Sequence, residues 1–389
     1  MADEGFSLPE DVFVEVLLRL PTSARRRFRL VCKRWRDVVD ERTPERQVRT
    51  KILTFTSHIP SSRAIVFDDG KDGRRRHEWT FDPSTRGGVV HMVGTCNGLI
   101  CLHETAVGGS GNNLSAITVA NPITGETLPL PLPPLPEAWD TFRHLGLYAF
   151  GYHPATGSRL ARRQDAVHVL TLGDGDPAAA AAWRDVVSPD MGGSYNPFCG
   201  IVCADGSAYW FASRADRVVA LDLDDDERVA SFPGPPGVVR PVEAMGEASW
   251  KVTNVHARLG VTVSRYEAAA AARAEVWVLD GGGAGGVPPR WSRRYNVVED
   301  VRGRWIVSTP HWTYGEYVLS LSWDRRRLYR RKVGECTNVE DGRTTELRPL
   351  EEETDEEESD EEEEEDAAAV VGRTFAYVET REPLPSVRG

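Results

Sequence analysis

Residues 117–134, ITVANPITGETLPLPLPP, read as a strand, a turn centred on Asn121-Pro122, an acidic residue, a second strand and then prolines. Residues 218–236, VVALDLDDDERVASFPGPP, repeat that order about 100 residues later. β-branched and aromatic side chains suit a pleated, half-buried surface, and Gly, Pro, Asn and Asp punctuate it. The same signal recurs in KILTFTS (51–57), GLICLHE (98–104), SAYWFAS (207–213), RVVALDL (217–223), AEVWVLD (274–280) and YVLSLSW (317–323). Strand signals therefore dominate from Lys51 onward. Two alanine-rich runs, DPAAAAAWRD (176–185) and YEAAAAARAE (266–275), interrupt them and are expected to be loop insertions with local helix.

A glycine leading into a strand recurs at Gly98, Gly151, Gly206, Gly260 and Gly315, about 54 residues apart. Propeller blades of the kelch kind are about 50 residues long. The expectation is a large all-β domain, a propeller-like ring of about six blades. Packed β-sheets in a sandwich are the alternative.

Composition sets the outer bounds. The chain has 389 residues, is 40% hydrophobic, and has a formal charge of −12. The charge is local, because residues 351–366 (EEETDEEESDEEEEED) carry 14 acids in 16 positions. Outside that block, basic and acidic residues number 47 and 45, so no basic footprint for nucleic acid is expected. The first residues, MADEGFSLPED, lack the apolar core of a secretory signal, and no apolar run of about 18 residues suggests a membrane span. Six cysteines in such a chain read as reduced thiols of the cytosol or nucleus.

The N-terminus reads differently. Ser7-Leu8-Pro9-Glu10 has the form of a capping box with proline in the first turn. Leu8, Val12, Val16 and Leu20 follow at helical spacing with Phe13 and Leu17 beside them, and Pro21 ends the helix. A second helix carries Phe28, Val31, Trp35 and Val38 at intervals of 3, 4 and 3. Two such short helices cannot bury both stripes on each other, so either the rest of the chain or a partner must cover them.

These residues resemble the F-box motif: Leu8-Pro9-Glu10-Asp11-Val12-Phe13, Val16-Leu17, Leu20-Pro21 and Val31-Cys32-Lys33-Arg34-Trp35 match its order and spacing over some 40 residues. The resemblance implies a small all-α unit over residues 1–45 that binds a Skp-type adaptor and, through it, the cullin of a ubiquitin ligase. It implies that Leu8, Pro9, Val12, Val16, Leu17, Leu20, Pro21, Val31 and Trp35 form or support the adaptor-facing surface. Arg25-Arg26 stand where the family usually places Leu-Leu, a departure at the docking surface.

Residues 46–389 resemble the F-box-associated domain of plant F-box proteins. The resemblance rests on GTCNGLICLHE, VANPITGETLPLP, FGYHPATG, CADGSAYWFAS, EVWVLDG followed by WSRRYNV, and AYVE, in that order. It implies a kelch-like domain that recognises a target protein. Ten of the eleven tryptophans lie in this part, where flat side chains serve packing between blades. Tyr195, Trp312 and Tyr314, in Gly/Pro-rich contexts, are the candidates for a target-binding face.

RTFAYVET follows the acidic block and alternates as a strand does, so the block is an insertion ahead of a strand that closes the ring. Its like charges repel, and disorder is expected over 351–366. Thr354 and Ser359, each followed by acids, read as acidophilic kinase sites.

No catalytic motif is present: no HExxH, no G-x-S-x-G and no P-loop. GGGAGG (281–286) reads as a hairpin loop. Cys96 and Cys101 are an odd number apart, which in one strand would point them to opposite faces. Cys199-x3-Cys203 has no second pair to make a zinc site, and Cys32 reads as packing. No cofactor and no metal are expected. The sequence thus describes a non-catalytic substrate receptor. An F-box protein acting outside a ligase and a propeller enzyme are the rival readings.

Overall fold

The computed structural model describes residues 10–20, 28, 35 and 38 and, between 51 and 384, the strands with part of the connections between them. One helix is described, α1 (Glu10–Arg19). All other described elements are strands, and they form six antiparallel sheets in chain order.

Sheet one takes β1 (Lys51–Ser57), β2 (Ser62–Phe67) and β3 (Arg75–Phe81). Sheet two is β4 (Gly88–Cys96), β5 (Leu99–Ala106), β6 (Ser115–Asn121) and β7 (Glu126–Leu130). Sheet three is β8 (Tyr148–His153), β9 (Gly157–Arg163), β10 (Val167–Leu172) and β11 (Arg184–Val186). Sheet four is β12 (Ile201–Ala204), β13 (Ser207–Phe211), β14 (Arg217–Asp222) and β15 (Val229–Pro233). Sheet five is β16 (Ala248–Val255), β17 (Arg258–Glu267), β18 (Ala271–Leu279) and β19 (Trp291–Asp300). Sheet six is β20 (Trp305–Val307), β21 (Thr313–Tyr314), β22 (Tyr317–Ser322), β23 (Leu328–Val333) and β24 (Val339–Leu347). The last strand, β25 (Val370–Tyr377), returns to sheet one and pairs with β1, giving the order β25-β1-β2-β3.

The sheets follow one another around a propeller-like ring. First strands meet first strands, β25 with β4, β4 with β8, β8 with β12 and β12 with β16. Sheets five and six touch through β19 and β24. Sheets six and one share a core of Ile52, Ile65, Phe67, Leu319 and Leu328. A two-sheet sandwich is not what the chain adopts.

Burial explains the residue choice. β1 is buried on both faces: Leu53 and Phe55 pack towards sheet two, while Ile52 packs towards sheet six. A strand covered on both sides has no exposed face, so Thr54 and Thr56, which alternate with Leu53 and Phe55, are buried as fully as they are. The outer strand β3 alternates between half-buried and exposed, as a one-sided strand must. The largest core joins sheets two, three and four around Tyr148, Val169 and Trp210. Full burial of one such side chain contributes about 1.5–3 kcal/mol.

The repeat of 117–134 in 218–236 corresponds to structure: both segments are the third and fourth strands of their sheets, β6–β7 and β14–β15. The glycine register is looser. Gly98 and Gly206 sit in the turn between the first two strands of a sheet, both at positive φ. Gly151 lies inside β8 and Gly260 inside β17, so these do not repeat that turn, and Gly315 lies outside the described residues. Gly151 is a packing position: a Cβ there would lie 2.3 Å from the Cβ of Cys203 in sheet four.

The second alanine run is corrected by the fold. Ala271 opens β18 and pairs with Glu267 on one side and Asp300 on the other. Two ladders outweigh alanine's weak preference for helix. The first run, 178–182, lies outside the described residues. The stretch GGGAGG also lies outside, but it joins the hairpin in which Leu279 pairs with Trp291 and the Asp280 amide donates to the Arg290 carbonyl. Cys96 and Cys101 stand on neighbouring strands of the β4–β5 hairpin, and both enter the same core. The turn at Asn97-Gly98 comes between them and cancels the parity argument made for a single strand.

Candidate functional site

The helix α1 forms where the capping box and stripe predicted it, and it ends before Pro21. Its apolar residues divide between two faces. Leu17, only 1% exposed, packs with Val38, Phe13, Val14, Leu20 and Phe28. Phe13 and Phe28 flank Trp35, with ring centroids 4.6 and 5.1 Å from it. The two expected stripes thus bury part of their surface in a small core of their own. Val12 and Val16, one helical turn apart, stay outside it at 46% and 45% exposure. They are two of only three large hydrophobic side chains exposed among the described residues, Leu132 being the third. Glu15 and Arg19 pair at 3.0 Å in solvent beside them.

Of the residues implied to serve an adaptor, Val12 and Val16 offer an apolar surface, while Leu17, Leu20 and Trp35 hold the core behind it. Leu8, Pro9, Pro21 and Val31 lie outside the described residues, as do Tyr195, Trp312, Thr354 and Ser359. The backbone of Tyr314 is in β21, paired with Tyr317. Tyr195 falls in the connection ahead of the first strand of sheet four, whereas Tyr314 falls in the connection after the first strand of sheet six. The two do not occupy equivalent connections.

The sequence reading missed a charged junction. Glu379, just past β25, receives Lys51 Nζ from the start of β1, with Arg76 Nε at 3.3 Å and His77 Nε2 at 3.0 Å from β3. Burial would raise the Glu379 pKa, but the Lys51 hydrogen bond and the charges of Lys51, Arg76 and His77 outweigh it and hold the carboxyl below its usual range. Lys51 and Glu379 are 328 residues apart, so no local motif marks the pair.

It also missed two tryptophan clasps. Trp183 Nε1 donates to the Pro131 carbonyl at 2.8 Å, tying sheet three to sheet two. Trp291 Nε1 donates to the Pro233 carbonyl at 3.0 Å, tying sheet five to sheet four. Both prolines lie three residues before the end of the segments whose repetition the sequence shows.

The thiols offer no reactive centre among the described residues. Cys96, Cys101 and Cys199 are buried and Cys203 is half-buried, and none of the four forms a disulfide among the described residues. Burial pushes the Cys101 and Cys203 thiols up, and pushes Cys199 up to about 12. His168 Nδ1 lies 2.6 Å from Asp185 Oδ1 across the β10–β11 pair, an ion-pair position with the carboxylate largely in solvent.

Comparison with known proteins agrees with this architecture. Residues 6–46 match the F-box domain, and residues 47–310 match the F-box associated beta propeller domain. The chain belongs to that family and is an F-box protein of the plant kind. It is 26% identical over 330 residues to "F-box protein At3g07870" of Arabidopsis thaliana, covering 75% of this chain and 72% of that one. It is 24% identical over 323 residues to the Arabidopsis "F-box/LRR-repeat protein At2g43260", covering 76% and 68%. Among solved structures, the beta-propeller domain of Myceliophteria thermophila Cps50 (Swd1) aligns with a TM-score of 0.38 at 11% identity, covering 74% of this chain and 84% of that one.

Proposed function

We propose that the chain is the substrate-receptor subunit of an SCF-type, cullin–RING ubiquitin ligase. The observation that carries this reading is the exposed Val12–Val16 pair on a helix whose Phe13, Val14 and Leu17 are already packed. A Skp-type adaptor would cover that pair, and a cullin would follow through the adaptor. The β-domain would hold the target protein. The six sheets support reading the ring as six-bladed, with an F-box unit at 1–45 and the β-domain at 46–389.

The work of such a subunit is proximity. Holding a target near a ubiquitin-charged enzyme raises the effective concentration of its lysines, and the covalent step belongs to other subunits. We place this work in the cytoplasm or nucleus, a setting in which the four described cysteines would stay reduced.

The fold separates two attachment points. Lys51, where the F-box segment joins, pairs with Tyr377, and Ser57 pairs with Val370. The F-box therefore joins at one end of β25 and the acidic insertion at the other. The eight residues of β25 span about 23 Å.

A second reading, an F-box interaction protein outside any ligase, draws on Arg25-Arg26 in place of the family's Leu-Leu. One experiment separates the two: co-purification of the full chain with a Skp-type adaptor, alongside a Val12→Asp/Val16→Asp variant. Capture by the wild type and loss in the variant supports the ligase reading. Failure of the wild type to capture the adaptor ends it.

A further inference from the structure

The segment after β25, described at Val378–Arg381 and Leu384, makes a path across two sheets. At its start, Glu379 collects Lys51, Arg76 and His77 of sheet one on one oxygen. Next it crosses the β4–β5 turn of sheet two. Gly98 stands beneath it so closely that a Cβ there would lie 2.6 Å from the Val378 carbonyl and 2.5 Å from Thr380 Cγ2. At the far side, the Leu384 amide donates to Glu126 Oε2 at 3.1 Å, beyond the β6–β7 turn. The Leu384 side chain packs on the core shared by sheets two, three and four.

The strand ahead of it already leans on sheet two. Thr95 Oγ1 donates to the Ala376 carbonyl at 2.5 Å, and Arg373 Nη1 donates to the Val93 carbonyl at 3.1 Å. β25 and its continuation therefore bind sheet one by a ladder and sheet two by side chains, a glycine platform and a leucine anchor.

We propose that Val378–Arg381 and Leu384 form a strap that latches the ring shut at the point where the N-terminal segment enters, with Glu379 as its catch. The ring's seam is the β1–β25 ladder, which joins residues more than 300 positions apart. The catch sits at the open end of that seam. Lys51, the residue that carries the F-box connection, is one of its three cationic partners. The strap is a device of this fold and does not depend on any partner of the chain.

Hydrogen exchange of the full chain, read by mass spectrometry, tests it. Three variants are compared with the wild type: Glu379→Gln, a chain ending after Tyr377, and Glu275→Gln as control. Glu275 pairs with Arg293 at 2.9 Å inside sheet five, so its loss is chemically similar but distant from the seam. The strap predicts about ten-fold faster exchange in β25 and β1 for the first two variants, with sheet five unchanged. The control leaves β25 and β1 unchanged. Exchange that rises equally in all sheets, or does not rise at the seam, overturns the proposal. Glu379→Gln changes one charge only and keeps the test valid where the shortened chain does not fold.

Discussion

Tyr377 lies directly across from Lys51, their Cα atoms partners in the β1–β25 ladder. The ring thus ends where it begins. Tyr377 is fully buried, with Trp79 of the outer strand edge-on to it at 5.9 Å. Burial, and then the nearby Glu379 charge, push its hydroxyl pKa up. One short stretch, Tyr377 to Glu379, joins the first, second and fourth strands of sheet one.

The Glu379 cluster makes seam stability depend on pH. Its folded pKa lies below the unfolded value, so its contribution is present above the unfolded pKa and is lost as pH falls through the folded one. The Tm difference between wild type and Glu379→Gln is therefore full at pH values above about 5 and closes as pH drops below about 4. Thermal melts across that range check it. A difference that widens on acidification would contradict the assignment of Glu379 as a charged catch.

Gly98→Ala should destabilise the chain more than Gly125→Ala. Both positions have positive φ, 82° and 76°, so each substitution carries a backbone cost of about 1 kcal/mol. Only at Gly98 would the new methyl meet other atoms, those of Val378 and Thr380; at Gly125 nothing lies within 4 Å. Urea unfolding should show about 1–3 kcal/mol more loss at Gly98. Equal losses would mean the strap does not press on the turn.

Leu17 and Val16 should separate packing from docking. Leu17→Ala removes a buried side chain from the F-box core and should lower the helical circular-dichroism signal together with adaptor capture. Val16→Asp acts on an exposed position and should abolish capture while leaving that signal intact.

Each tryptophan clasp contributes about 1 kcal/mol through its N–H bond. Trp183→Phe and Trp291→Phe should each lower stability by that order. Their effects should add, because the clasps share no residue. Denaturant titration of the singles and the double gives the answer.

Buried thiols should resist alkylation. At pH 8 the native chain should leave Cys101 and Cys199 unlabelled by iodoacetamide until denaturant is added, because their thiolates are disfavoured. Peptide mass spectrometry reads the sites directly.

Much of this fold was legible in local sequence. Runs such as KILTFTS and SAYWFAS became strands because β-branched and aromatic residues between turn formers leave few other conformations. RTFAYVET was legible as a closing strand, and β25 closes sheet one. Ala271 and Ala272, at the end of the second alanine run, form strand and not loop or helix because propensity is a local quantity and strand pairing is not. The glycine spacing suggested one role where the fold has several: a turn at Gly98 and a close sheet contact at Gly151. On the F-box helix, periodicity found the apolar stripe but not which valines stay outside once Leu17 and Phe13 have turned towards Trp35 and Val38. The catch at Glu379 and the clasps at Trp183 and Trp291 were invisible, since each joins residues far apart in sequence, 328 positions for Lys51 and Glu379 and 52 and 58 for the tryptophans and their prolines.

The pairing of β1 with β25 also sets a timetable for synthesis. A ribosome adding about 5–20 residues per second needs about 16–66 s to cover the 328 residues between Lys51 and Glu379. Sheets two to five can form on the nascent chain during that interval, each from neighbouring hairpins. β1 must wait with one edge unpaired, open to pairing with any other exposed strand. A polypeptide cut off before Val370 never covers that edge. Closure therefore comes only after the acidic insertion has been translated, so a product truncated within it is left with an aggregation-prone strand.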